Sequence, residues 1–339
     1  MGKDTAHLVL TKKQYRMKTP HILLLLLVLC QTVTAQTGWS QIRNGQPWYD
    51  MQGNVVQAHG GNFLIEDGTV YMVGEDRTHS WYPDVNLYHS RDMQVWEYDG
   101  KIIQNGVTTP ELGTTRMIER PKLMHCPKTG RYVIWCHYEA SDYSASEVAV
   151  FSSASVTGPY RLEWSGRPLG IKSRDCNVFV DDDGTAYFIS TIQENQHLGL
   201  FRLSDDYLRP LECTVLMRGL RREAPAIVRV DSLYYMLSSA CTGWDPNQCM
   251  LSVSRSLTQG WSPLTPVGDR IAYDTQASGI LTLRRGKRTL HLYVGDRWKD
   301  PDLPQSKIII TPITLRDGRC HFPYMETYRL NLRKALVKP

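Results

Sequence analysis

The sequence predicts an all-β fold, a five-bladed β-propeller. Three observations carry this expectation. A strand–turn–strand unit recurs five times, its spacing is roughly 50 residues, and helical periodicity is almost absent after residue 40. A pair of β-sandwiches would explain the many strands but not the recurrence.

The first unit, "GNFLIEDGTVYMVGED", begins near Gly61. The others are "PKLMHCPKTGRYVIWCHY" from Pro121, "NVFVDDDGTAYFIST" from Asn177, "PAIVRVDSLYYMLSSA" from Pro225 and "GILTLRRGKRTLHLYVGDR" from Gly279. Each is a short apolar run, a polar turn and a second run rich in Tyr, Val and Ile. The run of aspartates in the third unit raises the question of a calcium loop. An EF-hand loop starting at Asp181 would need an acid or amide at position five, glycine at six and glutamate at twelve. Thr185, Ala186 and Ile192 stand there instead. The run therefore reads as a hairpin turn, in which Asp and Gly accept left-handed backbone.

Residues 1–35 read as a secretory signal peptide: a basic start at Lys18, an apolar run from Ile22 to Leu29, and the small-residue exit "TVTA" with cleavage after Ala35. The run falls short of the about 20 residues a membrane span needs. Met17 can serve as the start, which makes residues 1–16 an upstream extension. Residues 36–339 then form a single propeller catalytic domain. The expected destination is outside the cytoplasm, periplasmic or secreted. The formal charge of +5 falls mostly on the leader, which holds Lys3, Lys12, Lys13, Arg16 and Lys18 against Asp4. What remains is near neutral, which argues against nucleic acid or an anionic membrane surface as partner. Cys126, Cys136, Cys176, Cys213, Cys241, Cys249 and Cys320 remain after cleavage, without the CxxC spacing of a zinc site. Cys241 and Cys249 are the pair considered for a disulfide.

The first strand of each propeller blade lines the axis, so the residues that begin those strands crowd one end of the channel. That position reads His59, Glu119, Asp175, Glu223 and Gln276, at intervals of 60, 56, 48 and 53 residues. Three carboxylates therefore converge. Like charges held together raise at least one pKa and create a proton donor at neutral pH. A donor acid with a partner that activates water is the equipment of glycoside hydrolysis. The bland alternative pairs each acid with its sequence neighbour, Arg120, Arg174 or Arg222. Trp81, Tyr82, Tyr138, Tyr143, Trp244 and Trp298 lie between strands and offer faces on which sugar rings stack.

The ordered motifs "QAHGG", "VGED", "ERPKLMHC", "SDYS", "SRDCNVFVDDDGTAYFI", "REAPAI", "TGWDPNQ", "DTQASG" and "VGDRW" resemble glycoside hydrolase family 43 over nearly the whole chain from residue 55 to 300. The resemblance is greatest to the branch of exo-β-1,3-galactanases and related β-galactosidases. It implies a five-bladed propeller and an inverting, exo-acting glycosidase on β-1,3-linked galactan. Glu223 matches the general acid, and Asp175 the carboxylate that tunes and orients it. Where most of the family carries a blade I aspartate as base, this chain has Gly60 and Gly61, as the galactanase branch does. There Gln276 matches the residue that holds the attacking water, through an imidic acid tautomer. Glu119 matches a substrate-contacting glutamate. By pKa alone a carboxylate such as Glu119 or Glu75 is the better base than an amide, so both readings stand at this point. Acid and water-holding group are expected about 6.5–9.5 Å apart for inversion. Glu75, Tyr138, Asn195 and Trp244 are the expected sugar contacts, with Glu194 beside Asn195. An α-L-arabinofuranosidase or β-xylosidase, and a non-catalytic sugar-binding propeller, are the alternatives. No cofactor or metal is expected, the partner is a poly- or oligosaccharide, no membrane insertion is foreseen, and the protein is expected to be a monomer.

Overall fold

The computed structural model describes Met1 and residues 38–339, except 79, 80, 111, 112 and 114. The expected signal peptide lies outside the described residues.

Five four-stranded antiparallel sheets follow one another along the chain. Blade I holds β2 (His59–Glu66), β3 (Thr69–Asp76), β4 (Asp84–Ser90) and β5 (Glu97–Ile103). Blade II holds β6 (Arg116–Cys126), β7 (Arg131–Ala140), β8 (Glu147–Ser153) and β9 (Arg161–Gly166). Blade III holds β10 (Ser173–Val180), β11 (Ala186–Ile192), β12 (His197–Leu203) and β13 (Pro210–Leu216). Blade IV holds β14 (Arg222–Val230), β15 (Leu233–Ala240), β16 (Met250–Ser254) and β17 (Thr265–Pro266). Blade V holds β18 (Gln276–Arg285), β19 (Arg288–Arg297), β20 (Lys307–Arg316) and β21 (Arg319–His321).

The expected count of five is corrected by a sixth sheet, which makes the propeller six-bladed. It is three-stranded, and β1 (Ser40–Arg43) from one end of the chain pairs with β22 (Thr327–Asn331), which pairs with β23 (Leu336–Lys338). A search for a recurring unit misses it because its strands are far apart in sequence and repeat nothing. It buries Ile42, Tyr328 and Leu330 in an apolar cluster shared with Met72 and Trp96 of blade I and Leu292 and Ile310 of blade V. Further clusters join blades I and II, II and III, III and IV, and IV and V. Each large side chain taken fully inside, such as Trp135 or Phe188, contributes about 1.5–3 kcal/mol.

The aspartate-rich turn is the tip of the β10–β11 hairpin. Gly184 has φ of +84° and donates to Asp181 O at 2.9 Å. The Asp181 carboxylate accepts from Tyr234 Oη at 2.6 Å, which ties blade III to blade IV. All seven described cysteines are free thiols, so the Cys241–Cys249 pairing does not form.

The first strands β2, β6, β10, β14 and β18 succeed one another around the axis. Among the described residues no strand ladder is shared between blades, and polar side chains join them. Lys122 on β6 is fully buried and donates to Gly60 O and Gly61 O at 2.7 Å and to Ser278 O at 2.8 Å. Asn177 on β10 donates to Pro225 O at 2.7 Å and Ser278 O at 3.1 Å. Asn62 and Leu123 exchange two hydrogen bonds between blades I and II. Burial and the neighbouring Arg120 charge push the Lys122 pKa down to about 7, against the three carbonyl dipoles that favour the ammonium. Lys122→Met removes the charge but strands three carbonyls, and should cost about 2–5 kcal/mol of stability. Urea unfolding checks this; an unchanged midpoint would show that the axial ammonium does not hold the blades together.

Candidate active site

A break in register lies at or beside the site residue near the start of each first strand. The ladder shifts between His59 and Asn62, Glu119 and Lys122, Ser173 and Cys176, Glu223 and Ala226, and Ala277 and Gly279. A bulge bends the strand and redirects its side chains. In three of them the next residue takes a left-handed conformation: Gly60 at φ +63°, Arg120 at +49° and Ala224 at +51°. For the two residues with a Cβ this is strained backbone.

Glu75, Glu119, Asp175, Glu223, Gln276, Asn195 and Trp244, all expected from sequence, line one axial cleft of about 400 Å³. Trp81, Tyr143 and Trp298 line it too. Tyr138 does not. It is fully buried among the side chains between blades I and II, with the Arg116 guanidinium 4.2 Å from its ring centre. Its expected sugar contact is therefore corrected: side chains alternate along β7, so His137 faces the cleft and Tyr138 faces the core. Glu194 is half exposed and pairs with Lys172 and Arg174 rather than entering the cleft. A larger groove of about 820 Å³ lies beside β1, but among the described residues its lining includes one acid, Glu326. Paired carboxylates occur in the axial cleft.

The acids do not pair with their sequence neighbours. Arg120 reaches into the next blade, donating from Nε to Asp175 Oδ1 at 2.7 Å. It also donates to the Gln276 side-chain oxygen and, at 3.1 Å, to Ala277 O. Arg222 binds Ser238 Oγ and O and Gln248 O. Arg174 holds Tyr143 O at 2.9 Å.

Glu223 is 7 % exposed. Burial, then the Asp175 charge, push its pKa up to about 8, although Arg120 opposes them. A carboxyl group in this state carries its proton at neutral pH. Glu119 is equally buried but has donors around it: Arg77 Nη2 at 3.2 Å, Tyr143 Oη at 3.0 Å and the His137 ring at 3.1 Å. The His137 contact is an ion pair rather than an aligned hydrogen bond, because Nδ1 does not point along the line to the carboxylate. Burial alone would raise the Glu119 pKa; His137, Arg77 and Tyr143 together hold it down at about 2. Burial also lowers the His137 pKa in isolation, yet Glu119 and Glu139 raise it to about 9. Glu75 is shifted upward by burial against the opposing Arg77 charge.

Gln276 is held at both ends of its amide. Its oxygen accepts from Arg120 and from Trp298 Nε1 at 3.0 Å, and its nitrogen donates to Glu223 Oε1 at 2.9 Å. Two donors on the oxygen favour the amide form. The direct contact with Glu223 is far shorter than the separation expected of an acid and a water-holding group across a sugar. Asp175 Oδ2 and Asn195 Oδ1 are buried with no hydrogen-bond partner among the described residues. Unmet buried acceptors are costly, and both sit where hydroxyl groups could meet them. Among the described residues no group of three or more His, Cys, Asp or Glu could hold a metal.

Gly60 and Gly61 leave no room for a carboxylate. A Cβ on Gly60 would strike the Glu75 carboxylate, and one on Gly61 would overlap the Val73 carbonyl. Besides the expected Glu75, the second strands supply His137, Ser239 and Asp296, which sequence reading passed over. The ladder partners of His59, Glu119, Glu223 and Gln276 are Glu75, His137, Ser239 and Asp296. His59 itself turns beneath the cleft to Asp296 at 3.1 Å. The repeated strand ends "VGED" and "VGDR" were the available signal for this second ring of residues.

A sequence profile of glycosyl hydrolases family 43 matches residues 59–318. The chain is similar in structure to an exo-β-1,3-galactanase from Clostridium thermocellum, with a TM-score of 0.84 and 35% identity over 88% of this chain and 68% of that one. It is similar also to an exo-β-1,3-galactanase from Phanerochaete chrysosporium solved with β-1,3-galactotriose, with a TM-score of 0.82 and 30% identity over 88% of this chain and 70% of that one. A curated relative, a xylan 1,3-β-xylosidase from a Vibrio species, matches at 26% identity over 37% of this chain, and the match spans a quarter of that relative's length.

Two outcomes test the site as described. Gly61→Asp should lower the melting temperature by several degrees, because its Cβ must displace the β3 backbone; a stable variant would show that the strand can yield there. Asp175→Asn should move the Glu223 titration to lower pH, since it removes the charge that raises it and frees Arg120 to lower it. Carboxyl infrared difference spectra follow this, and an unmoved midpoint would assign the shift to burial alone.

Proposed function

The chain belongs to glycosyl hydrolases family 43, and from that premise we propose that it is an exo-acting, inverting β-galactosidase that removes galactose from β-1,3-linked galactan, in arabinogalactan backbones or side chains. The observation that carries this is a carboxyl group held protonated, Glu223 with a pKa of about 8, beside the charged Asp175 in a cleft with unmet hydrogen-bond acceptors. Glu223 gives its proton to the glycosidic oxygen as the C1–O bond breaks. Water attacks C1 from the opposite face as it gives its proton to the base, and this back-side attack inverts the anomeric centre.

Gln276 is assigned to the water. In the empty cleft Arg120 and Trp298 hold the Gln276 oxygen. A glycosidic oxygen seated on the Glu223 proton wedges the sugar between Glu223 and Gln276 and so parts their contact. The Gln276 nitrogen, in the imidic acid form, then takes the water's proton while the hydroxyl of that form releases one. Glu119 is the rival acceptor for the water's proton, although a carboxylate with a pKa of about 2 and three donors around it accepts protons poorly. The absence of space at Gly60 and Gly61 argues against the arabinofuranosidase and xylosidase activities of relatives that use an aspartate there. A purely sugar-binding propeller has no need of a poised acid. The protein is proposed to act outside the cytoplasm, in the periplasm or secreted, and as a monomer.

Product analysis on β-1,3-galactan tests the assignment. Wild type should release galactose, Glu223→Gln should lose about 10²–10⁴-fold, and Gln276→Ala should fall comparably. In the base-deficient variant, added azide should restore turnover as α-galactosyl azide; rescue of Glu119→Gln instead of Gln276→Ala would move the base to Glu119. The pH profile of kcat/KM should fall above about 8, where Glu223 loses its proton. A wild type inert on galactan would overturn the substrate assignment.

A further inference from the structure

Trp81 lies between β3 and β4 of blade I, and Trp244 between β15 and β16 of blade IV. Those blades are not neighbours, because blade V and the three-stranded sixth sheet lie between them. Yet the two rings meet edge to face, 5.5 Å apart at 89°. Both line the cleft, and Trp81 remains 47 % exposed. The contact therefore passes above the sector of blade V that supplies Gln276 and Trp298. A cleft of about 400 Å³ is at the small end of the range for ligand sites, about 300–1,000 Å³. A polymer can thread a groove open at both ends, but it cannot pass a bridge of two indoles.

We propose that the Trp81–Trp244 contact is a specificity brace that closes one side of the cleft, so that a sugar chain enters only by its end. Resting on the reading of this cleft as a β-galactan-cleaving site, it names the residues that impose exo action. The brace joins two connections that the ladders do not otherwise link. Both indoles line the cleft and give it an apolar wall suited to the C–H face of a terminal sugar. The remaining polar wall, with Asp175, Asn195 and Tyr143, comes from blades II and III and leaves that side for the rest of the chain.

The test compares wild type with Trp81→Ala, Trp244→Ala and the double variant on β-1,3-galactan. Free galactose and the size distribution of the polymer are measured together. Wild type should release galactose while the bulk chain length declines slowly. Loss of the brace should bring internal cuts, so that mean chain length falls at least several-fold faster per galactose released. This ratio does not depend on the overall rate. Galactose release with an unaltered ratio would overturn the brace. Should the alanine variants be inactive, the same substitutions in the Glu223→Gln background are read by binding to galactan whose non-reducing ends are blocked. The braced protein should not bind it and the unbraced one should; equal binding overturns the proposal. A wild type that neither binds nor cleaves galactan sinks the substrate reading instead. The brace is then judged by the same end-block difference on β-1,3-xylo-oligosaccharides and arabino-oligosaccharides.

Discussion

The axial strand β6 is the constraint on which the site depends. It carries Glu119, Arg120 and Lys122 within four residues, and each serves a different level of the structure. Lys122 satisfies three carbonyl oxygens of blades I and V at the centre of the channel. Arg120, in a left-handed conformation one residue past Glu119, reaches across the axis to Asp175 on blade III and Gln276 on blade V. Propeller blades share apolar clusters but no hydrogen-bond ladder. Buried cations whose donors all find acceptors supply the directional links that apolar packing lacks. Two cations so close in one strand repel each other, and the bulge between Glu119 and Lys122 separates them, one toward the cleft and one into the channel.

The same geometry sets two glutamates of one cleft to opposite protonation states. Glu119 and Glu223 are about equally buried, so desolvation pushes both pKa values upward. The difference lies in their donors. Glu119 is met by an arginine, a tyrosine and a histidine that is itself held charged by Glu139. Glu223 meets a carboxylate, an amide and a thiol. Groups whose environments push their pKa values apart mark the division between proton donor and charged support. The cleft can thus hold a neutral acid and a fixed anion side by side.

The hairpins and the ring of first-strand residues were legible in the sequence, because an apolar run, a turn and a second run recur with even spacing. Glu119, Asp175, Glu223 and Gln276 could be found by that spacing alone. The sixth blade was not legible, since β1 and β22 pair across almost the whole chain and leave no periodic signal. Nor were the charge partners, because Arg120 and Arg174 serve residues of other elements rather than the acids beside them in sequence. Tyr138 was misplaced for a simpler reason: it adjoins His137 in a strand, and adjacent strand residues face opposite ways. Glu75, expected as a sugar contact or a rival base, stands in a second ring with His137, Ser239 and Asp296, fixed by ladder register that sequence spacing does not reveal.

In the proposed reaction Glu223 protonates a leaving oxygen while water attacks from the opposite face. The most direct measurement is the anomeric form of the galactose first released from β-1,3-galactan, followed by proton NMR before mutarotation. Direct attack by water predicts α-galactose as the initial product. β-Galactose appearing first would require a covalent intermediate on one of the cleft carboxylates, and would contradict the roles assigned to Glu223, Asp175 and Gln276.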